Sequence, residues 1–376
     1  MVERLVDVEK VQGSNPCAPT IFLMEKKILV LPGDGIGPEV VEQGVKVLEK
    51  IGKIFGHKFS LQYGLIGAKA IEEKGNPFPK ETFELCLKSD AILLGAVGDP
   101  KYDLDPKSKI RPEKGLLEMR KKLGLFANLR PIFTFPSLFS CSPLKSKILK
   151  DVDFIIVREL TGGIYFGKKI FKENKAVDFC SYSKKEILRV AKIAFDLAKK
   201  RKKKVTLVDK ANVLATSRLW RHTIQEFAKK EPEIKLEMMY VDNMAMQLIK
   251  NPSQFDVILT ENMFGDILSD EASVISGSIG LLPSASIGKK TSLYEPIHGS
   301  FPQAKGKNIA NPVGTILSVS LMLEISFNLK KEAEVIKKAT KEVVKEGFGT
   351  PDIVKKNPLS TFEFGKKILE KIEKIC

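Results

Sequence analysis

The chain is predicted to be an α/β protein built on largely parallel strands with helices on their faces, for three reasons. Short β-branched and apolar runs alternate with amphipathic stretches at helical spacing. Charged side chains recur just beyond the carboxyl ends of those runs, where open α/β sheets place their chemistry. With 376 residues, 43% hydrophobic and 29% charged, the chain is long enough for two domains or one large α/β unit.

Residues 1–23 stand apart from the rest. Gln12-Gly-Ser-Asn-Pro-Cys-Ala-Pro-Thr20 has no periodicity, and the segment lacks the apolar core of a signal peptide. They are expected to be a disordered extension, with Met24 as the natural start. A strand at 27–31 follows, then Pro32-Gly-Asp-Gly-Ile-Gly-Pro-Glu39 and an amphipathic helix to about residue 55. Pro38 suits a first helical turn and Glu39 its dipole. The glycines run G-x-G-x-G, and the next strand, 59–63, ends in Gly64 without an acid. A standard dinucleotide fingerprint needs other spacing and that acid, so this loop alone does not make a Rossmann fold. A helix around 80–87 and a strand at 90–95 continue the rhythm of parallel units.

Four of the nine arginines then fall between 111 and 158, in a chain with 53 lysines. Arginine used where lysine serves elsewhere points to a need for fork geometry, which grips a carboxylate with two parallel hydrogen bonds. Arg120 ends a helical pattern, and Arg130 lies in a strand-like run beside Pro131. Arg158 closes the strand 154–157, where an unpaired charge is costly. Three unrelated salt bridges are the bland alternative. Glu159-Leu-Thr-Gly-Gly-Ile-Tyr-Phe-Gly167 is a glycine-punctuated turn that sets Tyr165 beyond that strand. Residues 168–182 are expected to form an arm or hairpin. After a helix at 184–200 come strands at 205–208 and 236–241, followed by Lys210 and Asp242 respectively.

The stretch 255–272 gathers the argument. A buried strand at 256–260 precedes a helix expected to open at Gly265 and to carry Asp266 and Asp270. Four residues apart places both carboxylates on one face, where like charges repel and no local lysine answers them. A solvated helix edge is the bland reading. The apolar surroundings favour an oxygen-loving cation, Mg²⁺ or Mn²⁺, between the two acids.

Composition excludes several classes. The net charge of +16 invites a nucleic-acid partner, but it comes from lysines scattered over helical faces rather than a stripe with aromatics. Five cysteines at 17, 86, 141, 180 and 376 form no Cys-x-x-Cys, which argues for reduced thiols, a cytoplasmic location and no zinc site. The apolar run 313–327 is broken by Ser318, Ser320 and Glu324 and reads as a buried helix, so no membrane partner is expected.

The motifs resemble the β-decarboxylating dehydrogenases over about 27–370. They include Leu31-Pro-Gly-Asp-Gly-Ile-Gly-Pro-Glu39, Leu125-Phe-Ala-Asn-Leu-Arg-Pro131, Val157-Arg-Glu-Leu-Thr-Gly-Gly-Ile-Tyr-Phe-Gly167, Asp209-Lys-Ala-Asn212, Tyr240-Val-Asp242, Gly265-Asp-Ile-Leu-Ser-Asp270 and Ile309-Ala-Asn-Pro312. The resemblance implies a two-domain fold of that family's type, with mixed, largely parallel sheets and flanking helices. Residues 24–124 plus 277–376 would form the cofactor domain. Residues 125–276 would bind substrate and metal and dimerise, with an arm near 160–182.

It also implies roles. Arg120, Arg130 and Arg158 would clamp a malate-like 2-hydroxy dicarboxylate. Asp266 and Asp270, with Asp242 from a neighbouring subunit, would hold the metal, and Asp242 would also border the substrate. Lys210 of that subunit would assist deprotonation and Tyr165 would act as general acid. The active unit is therefore expected to be a homodimer with shared sites. Glu113, Leu116 and Leu117, with Val213 of the second subunit, would line the pocket for the third substituent. That wall suits an isopropyl group and leaves a third carboxylate without a partner. His298, Gly299, Ser300, Phe301, Pro302, Gln303 and Asn311 match the adenosine-binding loop. Gln303 departs from the aspartate common in NAD-dependent members. NADP-dependent relatives carry lysine and tyrosine at 303 and 304, a pair missing here, so NAD is the expected cofactor. Relatives acting on D-malate, tartrate or homoisocitrate, a basic nucleic-acid-binding protein, and a non-catalytic module are the alternatives.

Overall fold

The computed structural model describes residues 24–104 and 110–376; the expected extension 1–23 lies outside the described residues. β1 (Glu25–Gly33) buries Ile28, Leu29, Val30 and Leu31 completely, as a strand covered on both faces must. It runs into α1 (Gly37–Phe55), which Pro38 starts and Gly56 stops in a left-handed conformation with φ 77°. β2 (Lys58–Tyr63), α2 (Gly67–Lys74), α3 (Lys80–Lys88) and the wholly buried β3 (Ala91–Ala96) follow. α4 (Pro112–Leu123) leads to β4 (Ala127–Phe133), the short α5 (Ser146–Leu149) and β5 (Asp153–Glu159). The arm is a separate hairpin, β6 (Lys169–Lys172) and β7 (Lys175–Asp178).

The strand–helix alternation then resumes. α6 (Lys184–Lys199) opens on a capping box in which Ser183 and Glu186 satisfy each other's backbone N–H. β8 (Lys204–Asp209), α7 (Ala215–Ala228), β9 (Lys235–Tyr240), α8 (Val241–Lys250), β10 (Val257–Thr260) and α9 (Asn262–Ser273) complete that region. β11 (Pro283–Ile287), β12 (Ser292–Pro296), α10 (Val313–Ile325), α11 (Lys330–Lys345) and α12 (Thr361–Ile375) close the described chain.

Ten strands form one sheet in the order β2-β1-β3-β12-β11-β4-β5-β10-β8-β9. It is mixed: two parallel wings meet in an antiparallel middle made by β12, β11, β4 and β5. The strands β5, β10, β8 and β9 are successive parallel neighbours, with Thr260 level with both Arg158 and Val208, and Asp209 level with Tyr240. The carboxyl ends of four strands therefore share one edge. The helix read from 313–327 is α10, buried nearly all round. Its serines are tolerated because Ser318 donates to the carbonyl of Gly314 at 2.8 Å and Ser320 to that of Ala333 at 3.0 Å. Among the described residues, no helix is long and apolar enough to cross a membrane.

Candidate active site

The helix α9 starts earlier than its sequence suggests. Glu261 is its N-cap and accepts the N–H of Phe264 at 3.0 Å, so the first turn begins at Asn262 and not at Gly265. Gly265 has another use: a Cβ there would stand 2.7 Å from Cγ of Arg158, so its absence lets α9 lie directly on that side chain. Asp242 follows β9 directly, as expected, and stands in the first turn of α8.

Arg158 is only 2% exposed at the end of β5. Its Nε and Nη2 donate to Oδ1 of Asn262 at 3.0 and 2.8 Å, and its Nη1 pairs with Oδ1 of Asp266. Arg130, from β4, donates from Nε to Asn128 at 2.8 Å. Its Nη1 reaches Ser269 at 2.6 Å and Asp270 at 3.2 Å, and Nη2 lies 3.8 Å from Asp266. The Tyr165 hydroxyl donates to the other oxygen of Asp266 at 2.9 Å. Two buried arginines thus answer the repulsion between Asp266 and Asp270. The partners that the local sequence does not offer come from distant strands.

The electrostatics follow from this crowding. Burial, then the neighbouring Arg130, lowers Arg158 to about 10, with Arg120 adding to the push. Burial would raise Asp266, but Arg158 and Arg130 hold its carboxyl below the usual range. Burial and then Asp266 raise Tyr165 to about 12, so its phenol carries a proton at neutral pH. Arg120 pairs with Glu295 of β12 at 3.1 Å, which ties α4 to the strand that leads into His298.

A second constellation sits farther along the same sheet edge. Lys210 follows β8 and is hydrogen-bonded to Asp242, whose pKa it lowers. Asp209 positions that turn by accepting Nε and Nη2 of Arg221 at 2.8 and 2.7 Å and the N–H of Ala211 at 2.9 Å. Val213 is 62% exposed just beyond. Among the described residues no three acid, histidine or cysteine side chains come together to hold a metal, so Asp242 does not join Asp266 and Asp270 within one chain.

Glu113, Leu116 and Leu117 share α4 with Arg120. Glu113 lies against Gly98, and burial raises its carboxyl. Leu116 packs partly into the core under α4, whereas Leu117 belongs to no core cluster. In the loop after β12, His298 is buried, its Nδ1 bonded to the carbonyl of Gly299 at 2.9 Å and its Nε2 without a partner. Burial lowers its pKa. Gly299, Phe301 and Gln303 are exposed and Pro302 is half-buried. The carbonyl of Ser300 accepts the N–H of Ile36. The side chain of Asn311 is used by Asp352 and the N–H of Val313, leaving its backbone as the part able to face a ligand.

These residues fit the implied groups in their donor chemistry. Asp266 and Asp270 present hard carboxylate oxygens, 33% and 61% exposed, on one helix face. The orphaned Nε2 of His298 suits a polar ring atom of a nucleotide base, a group that burial otherwise penalises.

The sequence alone pointed past several working residues. Asn128 and Asn262 hold the two arginines, and only their position beside buried strands hints at it. Asp34, within the glycine loop, accepts the N–H groups of Ala68, Lys69 and Gly98 at 2.9, 3.0 and 2.8 Å. That loop braces its neighbours through Asp34.

Comparison with known proteins gives a consistent result. The profile of the isocitrate/isopropylmalate dehydrogenase family matches residues 27–368. The 3-isopropylmalate dehydrogenase of Aquifex aeolicus is 52% identical over 93% of this chain and 98% of its own length. That of Geobacillus kaustophilus is 57% identical over 87% of the chain and 90% of its own. The crystal structure of isocitrate dehydrogenase from Methylococcus capsulatus superposes with a TM-score of 0.84 at 34% identity, covering 92% of this chain and 99% of that one.

Proposed function

We propose, since the chain belongs to the isocitrate/isopropylmalate dehydrogenase family, that it oxidises and decarboxylates 3-isopropylmalate to 4-methyl-2-oxopentanoate with reduction of NAD, in leucine biosynthesis. The observation that carries this reading is the convergence of Arg130, Arg158 and Tyr165 on Asp266, in a chain 52–57% identical to enzymes of that name.

Arg120, Arg130 and Arg158 bind the two carboxylates of the malate core, their forks aligned before substrate arrives. Lys210 of a second copy assists loss of the hydroxyl proton as C2 releases its hydride, and Tyr165 delivers a proton to C3 after CO₂ leaves. A phenol that stays protonated at neutral pH suits that delivery. Asp266 and Asp270, with Asp242 of the second copy, would hold Mg²⁺ or Mn²⁺, which would supply Lewis acidity at the substrate oxygens. The loop from His298 to Gln303, with Asn311, would hold NAD, which would supply the hydride acceptor; Gln303 carries no charge toward a ribose. Leu116 and Leu117, bordered by Glu113 and by Val213 of the second copy, receive the isopropyl group.

A homodimer supports this division of labour. Met246 and Ile249 on α8 and Ile267 on α9 are large apolar side chains left exposed, and the β6–β7 hairpin has unpaired edges. Residues 24–124 with 277–376 act as the cofactor domain and 125–276 as the substrate and dimer domain, in a cytoplasmic enzyme. The test is NADH formation from 3-isopropylmalate against isocitrate and D-malate. Turnover of isocitrate comparable to that of 3-isopropylmalate would refute the substrate, and a higher kcat/KM with NADP would refute the cofactor.

A further inference from the structure

We infer that Asn262 is a positioning residue for this reaction: its amide holds Arg158 and the turn bearing Tyr165 in one register while adding no charge. The inference rests on the reading of Arg158 as a carboxylate-binding group.

Asn262 is 1% exposed and both ends of its side chain are engaged. Oδ1 accepts Nε and Nη2 of Arg158, and Nδ2 donates to the carbonyl of Gly162 at 3.0 Å. Gly162 opens the turn that carries Tyr165, and its own N–H donates to Oε2 of Glu159 at 2.7 Å. The turn is therefore gripped on both sides. The Asn262 backbone is fixed in turn: its N–H donates to the Tyr182 hydroxyl at 3.0 Å, which donates to Glu261 at 2.9 Å.

Neutrality is the point of the amide. An aspartate has the same shape, but it would add a carboxylate to a guanidinium already paired with Asp266 and quench the charge that must meet substrate. It would also set an oxygen against the Gly162 carbonyl. The same solution recurs at Arg130, whose Nε is held by Asn128, itself anchored on Ser284 and Ser286 at 2.8 and 3.0 Å. Two guanidiniums are gripped at Nε by neutral amides and meet acids only at their outer nitrogens. Arg120 contrasts with them: an acid holds it, and its buried Nε has no partner.

The test is steady-state kinetics on the full-length enzyme with each substrate varied, for Asn262→Asp, Asn262→Ala and Arg158→Gln. Asn262→Asp is expected to raise KM for the hydroxy acid about 10- to 100-fold, the range for a charge-assisted hydrogen bond. KM for NAD should stay within about 2-fold, because the cofactor loop is untouched. An N262D enzyme with the parent's hydroxy-acid KM overturns the inference, as does an equal rise in both KM values. If N262D does not fold, N262A tests the positioning claim alone: it releases Arg158 and the Gly162 carbonyl without adding a charge, and the same split between the two KM values is expected. Arg158→Gln separates the two claims: an unchanged KM there refutes the role of Arg158 itself, whereas a raised KM with a silent Asn262 refutes only this inference.

Discussion

The two constellations on the sheet edge differ in how complete they are. Around Arg158, two arginines, two aspartates, a tyrosine and two asparagines interlock, and most are buried. Around Lys210, the functional side chains are the exposed Asp242 and a lysine paired with it, beside an exposed Val213. Both lie at carboxyl ends of neighbouring parallel strands, so topology alone does not distinguish them. The difference teaches that one group is preorganised by contacts within the chain, whereas the other faces solvent and is held by a single pair. A charge pair in solvent contributes little to stability, so Lys210 and Asp242 are not explained by folding.

The largest expected effect comes from removing the ion proposed to join the halves. Chelation with EDTA should take turnover to background, and Mg²⁺ or Mn²⁺ should restore it. Full activity in EDTA would mean that the halves do not meet over a cation, and the comparison would lose its functional sense.

The next effect sharpens which chain supplies which half. Tyr165→Phe and Lys210→Met should each lower kcat about 10²- to 10⁴-fold. Mixed after co-refolding, the two inactive variants should recover up to about a quarter of the parent's activity, because half the sites in each heterodimer regain both groups. No recovery, with heterodimers present, would place Tyr165 and Lys210 in one chain's site.

How far the sequence led follows the same divide. The parallel rhythm, the arginines and the acid pair could be read because period, strand ends and residue choice are local signals. The capping of α9 by Glu261 could not, since its side chain and the start of the helix compete with the apolar run before them. Nor could the pairing of Asp266 with Arg130 and Arg158, which joins β4, β5 and α9 across more than a hundred residues of chain. Asn262 carried no signal at all. An asparagine after a strand reads as a turn residue until its partners are known.

A smaller effect tests the tightness of the first half. Gly265→Ala puts a methyl group 2.7 Å from Cγ and 2.8 Å from Cβ of Arg158, near the backbone, where no flexible tip can yield. Overpacking of this kind costs about 1–3 kcal/mol. Thermal unfolding should show the loss, and KM for the hydroxy acid should rise with it as Arg158 is displaced. An unaltered melting temperature would mean that α9 shifts freely and that the first half is less rigid than its bonds suggest.

The smallest effect on folding belongs to the second half. Met246 and Ile249 stand 54% and 47% exposed on α8. Replacing Met246 by Ala should change the stability of a single folded chain by no more than about 0.5 kcal/mol, the usual range for surface positions. The same change should weaken association, because the proposed dimer would bury a side chain that is idle in one chain. Urea unfolding at several protein concentrations separates these terms. The variant should match the parent at high dilution and fall below it where the parent is dimeric, with activity following the dimer. If the variant instead lost stability equally at every concentration, Met246 would be part of the single-chain core. The exposed half of the site would then have no partner to explain it.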